Sequence, residues 1–298
     1  MTIMTKRLSL ILVVALVALA SQAQLLWKVS GGNLARPSYI FGTHHMAPKT
    51  MIDQVHGLDD AIQACDIVVG EVARDSLLSN EVQGMMAGYM MAPADSTLSK
   101  LYTDEEYKIV ATVFNKYFGS MGVRLNQMEN LKPVAISTQM QAIQMMKYFP
   151  EFNGADGMID MAVLTRANEA GRPSEGLETV KEQCEILFNG SLKDQAHSLL
   201  ESCKKDEYFE QQCKELNEAY LSQNLDKVWA AMNNATSGDS EAELESLIYS
   251  RNRSWATKLQ RMMPERACLV CVGCGHLPGD QGLLQLLRNA GYTVTPVQ

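Results

Sequence analysis

The chain has 298 residues, with 34 acidic against 26 basic side chains and a net charge of −8 at neutral pH. Its basic residues are scattered along the sequence, which argues against the concentrated positive surface that nucleic acid or an anionic membrane requires. Hydrophobic residues make up 46% of the chain and low-complexity tracts are missing, so the composition is that of an ordinary globular protein.

The first residues have the pattern of a secretory signal peptide. Lys6 and Arg7 precede an apolar stretch, and small residues at Ser21 and Ala23 complete a cleavage site. The apolar stretch is short for a membrane span, which needs ~20 residues. We therefore expect residues 1–23 to be removed and residues 24–298 to form one domain. The mature protein is expected to be periplasmic or extracellular, without stable insertion in a membrane.

Strand patterns come first in the mature chain. Two short apolar stretches, residues 25–29 and 39–41, flank "SGGN", which favours a hairpin. A helical stretch over residues 55–64 then leads to "DIVVGEV", an apolar strand whose end carries Glu71. The N-terminal part of the domain is therefore predicted to contribute three strands.

The middle of the chain is predicted to be mainly helical. Between residues 103 and 263, one short strand pattern, "PSEGLET", leads to Glu178. Strands return in "RACLVCVGCGH" and "YTVTPV", which enclose a helical pattern over residues 281–289. The sequence therefore predicts an α/β fold that leans towards α+β, with a central sheet built from N- and C-terminal strands and a large helical middle segment.

Two of the predicted strands end in the same motif. "FGTHH" places Gly42 three residues before His45, and "VGCGH" places Gly273 three residues before His276. Glycine permits close approach of another group, and residues beyond the carboxyl ends of strands form the crevice where α/β proteins bind ligands. With Glu71 at the end of a third strand, the pattern predicts that His45, His276 and Glu71 meet in one site.

Five stretches of the sequence resemble the TraB/GumN family in family order and span almost the whole mature chain. That family is related to the Tiki metalloproteases and more distantly to the erythromycin-esterase and ChaN-like proteins. The resemblance implies their α/β fold, one site built from paired G-x-x-H motifs and an acidic residue, and metal-dependent peptide hydrolysis. The stretches are "YIFGTHH", "DIVVGEV", "GRPSEGLETVKEQ", "SRNRSWATKL" and "VGCGHLPGDQGLLQLLRNAGYTVTPV".

The resemblance assigns positions residue by residue. The family histidines fall on His45 and His276 and its strand-end acid falls on Glu71, whereas His44 stands where an aliphatic residue is common. The family's "RN..W" falls on Arg251, Asn252 and Trp255, and its "gLEt" on residues 176–179. These latter positions are expected to support the site.

The predicted ligand set suits a catalytic metal. Two neutral imidazoles and one carboxylate hold Zn²⁺ with a position left for water, and manganese or cobalt accepts the same ligands. Such an ion lowers the pKa of its bound water from 15.7 towards ~7 and polarises a carbonyl group. A second carboxylate is then wanted as general base. Glu71, Glu178 and Asp160 are the candidates, and the sequence leaves the ligand and base roles open among them.

Two functions follow from this site. The first is an exported, peptidase-like hydrolase that uses a divalent transition metal to cleave peptides or small molecules. The alternative is a non-catalytic protein that binds haem or a peptide with the same residues. Metal content and the visible absorption spectrum of the purified protein distinguish the two.

The seven cysteines give two further predictions. Cys268 and Cys271 lie three positions apart in a strand, so their side chains point to opposite faces and do not share an ion. Cys203 and Cys213 flank an expected turn between two helices. That turn is predicted to bring their Cα atoms within the ~4–7 Å that a disulfide requires.

Overall fold

The computed structural model describes residues 24–45, 47–148, 158–235 and 241–297. The predicted signal peptide, residues 1–23, lies outside the described residues. Within this part of the chain six strands form one mixed sheet, which confirms the α/β fold class. The strands are β1 (Leu26–Ser30), β2 (Ser38–Thr43), β3 (Ile67–Gly70), β4 (Ser174–Gly176), β5 (Cys268–Gly273) and β6 (Thr293–Pro296).

Helices account for most of the remaining described chain. The α-helices are α1 (Leu58–Ala64), α2 (Arg74–Leu77), α3 (Asn80–Met90), α4 (Leu98–Leu101), α5 (Asp104–Phe118), α6 (Pro133–Tyr148), α7 (Ile159–Glu169), α8 (Val180–Phe188), α9 (Leu192–Lys204), α10 (Asp206–Leu221), α11 (Leu225–Ala235), α12 (Glu241–Leu244), α13 (Ser250–Met262) and α14 (Leu283–Asn289). A π-helical turn, Glu245–Tyr249, joins α12 to α13, and 3-10 turns occupy Lys49–Gln54, Gly119–Met121, Leu125–Met128 and Cys274–His276. None of the helices among the described residues combines the length and the apolar character needed to cross a membrane.

The sheet has the strand order β4-β3-β5-β2-β1-β6. The four strands from β4 to β2 are parallel, and β1 pairs antiparallel with both β2 and β6. β1 and β2 form the predicted hairpin, in which Gly31 and Gly32 take the positive φ angles of the turn. Because β4, β3, β5 and β2 are parallel, the residues that follow them meet at one edge of the sheet.

The central strand β5 is buried on both faces, as its continuous apolar sequence predicts. Leu269 and Cys271 point into a core shared with helices α1, α7, α10 and α11. Cys268, Val270 and Val272 point into a second core, against α13 and α14. The two cysteines therefore face opposite sides of the sheet, as predicted.

The helical middle segment has a core of its own. Side chains from α4, α5, α6 and α9 pack together there, and the buried ring of Phe114 stacks on Phe118 at 4.4 Å between ring centroids. Helix α5 begins at the predicted capping box, in which the Glu106 amide donates to the Thr103 hydroxyl and the Thr103 amide donates to the Glu106 carboxylate. Helices α6 and α9 of this layer pack against α10, whose Ala219 and Tyr220 lie in the core under the sheet.

The predicted disulfide is not formed, since Cys203 and Cys213 are both free thiols. Cys203 lies in the last turn of α9, whereas Cys213 lies seven residues beyond the start of α10. At ~1.5 Å per residue the helix carries Cys213 about 10 Å away from the turn, beyond the ~7 Å that a disulfide spans. The predicted turn between the two helices is present, but Cys213 lies further along the second helix, α10, than a disulfide to Cys203 allows.

Candidate active site

Each of the four parallel strands delivers one polar side chain to the same edge of the sheet. His45 follows β2, Glu71 follows β3, Glu178 follows β4 and His276 follows β5. The main chains after β3 and β4 stay paired, with the Glu178 amide donating to the Glu71 carbonyl at 2.8 Å. His276 Nε2 lies 4.0 Å from Glu71 Oε1. The side chains predicted from the sequence therefore lie together at the edge of the sheet where the parallel strands have their carboxyl ends, here called the carboxyl edge.

The two glycines of the repeated motif make close approach possible. A Cβ atom on Gly42 would lie 2.7 Å from the Leu277 side chain, which is too close. At Gly273 a Cβ atom would lie 3.3 Å from Glu71 Oε1, and the Gly273 amide donates a hydrogen bond to that same oxygen at 2.8 Å. Gly273 thus gives the carboxylate direct access to the main chain.

His45 is paired with Asp160, in the first turn of helix α7. His45 Nδ1 lies 2.7 Å from Asp160 Oδ2, and the Thr43 hydroxyl donates to the other carboxylate oxygen. The charge of Asp160 raises the pKa of His45 to about 9, so the ring is protonated at neutral pH. The ring is half exposed while Asp160 is mostly covered. Asp160 therefore orients the imidazolium and leaves its Nε2 hydrogen to a ligand.

Glu71 is an ionised carboxylate held by several donors. It accepts from Arg251 Nη2 at 2.6 Å and from Gln183 Nε2 at 3.2 Å, besides the Gly273 amide. Burial by itself would raise the pKa of Glu71, but the neighbouring charges and the amide outweigh burial and lower it. At neutral pH the Glu71 carboxylate is therefore negatively charged, and it is available to accept a proton as a base.

Arg251 ties the acidic residues together from the N-terminal turn of helix α13. Its Nε donates to Glu178 Oε2 at 3.1 Å and its Nη2 to Glu178 Oε1 at 2.6 Å, a bidentate pair. Both side chains are buried, and the guanidinium carbon lies 4.6 Å from the centre of the Trp255 ring. Glu178, one of the predicted general bases, is therefore fully occupied as the partner of Arg251.

The tautomer of His276 follows from the hydrogen bonds of Asn252. Asn252 Nδ2 donates to the carbonyl groups of His276 at 3.1 Å and Gln281 at 2.8 Å, so Oδ1 is an acceptor. His276 Nδ1 lies 2.7 Å from that oxygen and must carry the hydrogen. Nε2 then carries the lone pair, which accepts a hydrogen bond from Arg251 Nη1 at 3.2 Å. Burial lowers the pKa of His276 to about 4, so the ring is neutral at physiological pH.

A cavity of about 150 Å³ opens beside His45, Glu71 and Asp160. Its other walls are mainly apolar. The apolar side chains come from the segment after β3, from α2, from α3, from α7 and from the residue before α7, and they are Val72, Leu77, Met86, Met158, Met161 and Leu164. Polar groups that face an apolar cavity are typical of a small-molecule or peptide site.

The match to known families agrees with this architecture. A sequence model of the TraB/PrgY/gumN family matches residues 25–296. The chain belongs to the TraB/PrgY/gumN family. Comparison with curated proteins and with solved structures gives no match. Membership in the TraB/PrgY/gumN family brings no reaction with it, so the function has to rest on the chemistry of the site.

Two contributors to this TraB/PrgY/gumN site were not predicted. Thr43 bonds Asp160, and Gln183 bridges the two carboxylates of Glu71 and Glu178. Both lie inside stretches that carry the family resemblance, "GTHH" and "ETVKEQ", which is the signal that marks them. His44, by contrast, is bonded to Asn217 at 2.8 Å on helix α10.

The described side chains of the site are not arranged to hold a metal ion. Among the described residues no three His, Cys, Asp or Glu side chains are placed to hold one. Two bonds of ~2.1 Å at a tetrahedral angle separate their ligand atoms by about 3.4 Å, whereas Glu71 Oε1 and His276 Nε2 are 4.0 Å apart. The Arg251 guanidinium contacts both residues. The predicted zinc, manganese or cobalt ion stays a prediction from the family resemblance.

Proposed function

We propose that this protein is an exported, peptidase-like hydrolase that acts on a peptide or a small molecule in the cavity beside His45 and Glu71. One observation carries the proposal: His45, paired with Asp160, and Glu71, paired with Arg251, line the same cavity, and these partners favour a protonated imidazole and an ionised carboxylate. Such a pair supplies both the acid and the base that hydrolysis needs. The signal-like pattern of residues 1–23 supports a periplasmic or extracellular location.

Glu71 takes the role of the base. A water molecule hydrogen-bonded to Glu71 attacks the carbonyl carbon of the substrate and passes one proton to the carboxylate. The low pKa of Glu71 keeps it ionised at neutral pH but also makes it a weak base. Most of the catalytic effect is therefore expected from the acid.

His45 takes the role of the acid. Its Nε2–H donates a hydrogen bond to the developing oxyanion and then transfers the proton to the leaving amine or alkoxide. Exchange with water returns a proton to His45 and removes the one on Glu71, so the net change is the addition of one water molecule. Asp160, predicted as a possible base, instead orients the ring and keeps it protonated. Each such acid or base is worth ~10²–10⁴-fold in rate.

The cavity supports a substrate with a small apolar group. A dry cavity of ~150 Å³ lined by hydrocarbon admits a molecule as large as benzene, and this cavity is of that size. Methionine side chains adapt to ligands of different shape, and Met86, Met158 and Met161 line it. An apolar side chain or acyl group next to the cleaved bond therefore fits.

The test is digestion of a peptide library by the purified protein without its signal peptide. Reactions run with a chelator and with Zn²⁺, Mn²⁺ or Co²⁺ added separately, and the visible spectrum is recorded. We expect cleavage next to apolar residues, and a loss of ~10²-fold or more in Glu71→Gln and in His45→Ala.

His44→Ala is the matched control, because its ring contacts Asn217 rather than the cavity and cleavage should persist. If His44→Ala abolishes cleavage and His45→Ala does not, the motif is assigned one residue out of register. A haem absorption band together with no cleavage in any condition would favour the binding alternative.

A further inference from the structure

Arg251 lies between the two residues that were predicted to share a metal ion. Its Nη2 donates to Glu71 at 2.6 Å and its Nη1 lies 3.2 Å from His276 Nε2. The same guanidinium donates to Glu178 through Nε and Nη2, and to the Leu247 carbonyl through Nη1. All five N–H groups of the side chain therefore have an acceptor inside the protein.

The lone pair of His276 that a metal would need is the one that accepts from Arg251. Asn252 fixes the hydrogen on Nδ1, so Nε2 is the only nitrogen of this ring that is able to bind an ion. A cation at Nε2 would have to displace Arg251 Nη1. It would also stand beside a guanidinium, which keeps its positive charge at every pH that proteins tolerate.

Moving Arg251 aside would leave its partners without a counter-charge. Glu178 is buried and has both oxygens on this one guanidinium, and among the described residues Gln183 is its other side-chain donor. A buried carboxylate that loses its partner is strongly unfavourable. The Trp255 ring supports the guanidinium on one side and further restrains it.

We propose that Arg251 is the resident cation of this site: its guanidinium takes the place of a metal ion between Glu71 and His276, so that a transition ion and the Arg251 contacts exclude each other. The consequence is measurable as metal affinity, without any substrate. The inference therefore stands or fails separately from the proposed hydrolase activity.

Titration with Co²⁺ alone, followed by its absorption bands, and with Zn²⁺ by calorimetry tests the proposal. Arg251→Met removes the charge and keeps an apolar stem on Trp255. We expect the wild type to show no site that depends on His276, and Arg251→Met to gain at least tenfold in affinity. The double variant Arg251→Met/His276→Ala should lose that gain, which assigns the ion to His276.

Arg253→Met is the matched control, since Arg253 lies on the same helix but is exposed and paired with Glu245. It should titrate as the wild type does. Wild-type protein that binds one Co²⁺ and loses it in His276→Ala overturns the inference. So does an Arg251→Met variant that folds and gains no affinity, because Arg251 is then not what keeps the ion out.

If Arg251→Met does not fold, nitrogen NMR of His276 in the wild type gives the answer. We expect the Nδ1–H tautomer with Nε2 unprotonated, and no change on addition of Zn²⁺. A shift of the Nε2 signal by Zn²⁺ would contradict the inference.

Discussion

Replacing Asp160 by asparagine removes the charge that holds His45 protonated and keeps the shape of the side chain. The amide oxygen of the variant still accepts from His45 Nδ1, which lies 2.7 Å from the carboxylate in the parent protein. The change therefore isolates the electrostatic part of the interaction. If the site works as proposed, this charge decides the pH range over which His45 acts as an acid.

The size of the effect follows from the pKa of His45. Asp160 is the largest cause of its rise from 6.5 to about 9, a difference that corresponds to about 3.4 kcal/mol. The His45 ring is 54% exposed, and water screens an exposed pair. We therefore expect the asparagine variant to lower the pKa of His45 by about 1–2 units, or about 1.4–2.7 kcal/mol.

The assay is an NMR titration of the histidine ring signals between pH 5 and pH 10. The chain has five histidines, and the signal of His45 is assigned from its loss in His45→Ala. Asp59→Asn is the control, because it removes an exposed ion pair to Arg166 on the same helix α7. A His45 pKa near 6.5 in the wild type, or the same value in wild type and Asp160→Asn, would refute the reasoning.

The sign of the effect on stability can be checked in the same samples. The pKa of His45 is higher in the folded protein than in the unfolded chain, so the folded state binds the proton more tightly. The stabilisation is complete below pH 6.5 and is lost as the pH rises through about 9. The difference in stability between wild type and Asp160→Asn should shrink over that range.

Three further predictions concern stability and are measured by urea denaturation. The pKa of buried His276 is lowered to about 4. Its contribution to the free energy of unfolding is therefore fully present above pH 6.5 and falls by about 2 kcal/mol at pH 5. A His276→Asn variant whose stability has the same pH dependence as that of the wild type would contradict this. Thr103→Ala removes the capping box of α5 and should cost about 1 kcal/mol, against little for Thr112→Ala in the exposed middle of that helix. Leu269→Ala opens a cavity in the central strand, where the side chain is fully buried. It should cost about 2–5 kcal/mol, and a loss below 1 kcal/mol would mean that β5 is not central.

Local patterns in the sequence determine the elements of this fold. Alternation and continuous apolar stretches predict the strands around Phe41, Val69 and Val270, because a strand buries every second side chain or both faces. The capping box predicts where α5 begins, since its hydrogen bonds join residues only three apart. The repeated G-x-x-H motif likewise predicts His45 and His276 at strand ends.

The convergence of these residues also follows from the sequence, but only through topology. Parallel strands share a carboxyl edge, so histidines and acids that follow such strands have to meet there. The strand order itself, with β5 between β3 and β2, is decided by packing. Packing likewise decides how far helix α10 continues after the turn that precedes it. That length separates Cys213 from Cys203.

Only the tertiary structure decides the chemistry at that edge. Arg251 lies 180 positions from Glu71 in the chain, and Asp160 lies 115 positions from His45, yet each pair is in hydrogen-bonding contact. The contact with Asp160 raises the pKa of His45 and keeps it protonated, whereas burial lowers the pKa of His276 and keeps it neutral. Arg251 gives the Glu71 carboxylate its partner. A local pattern names residue types, but charge and pKa depend on distances through space and on burial, which exist only once the helices pack against the sheet.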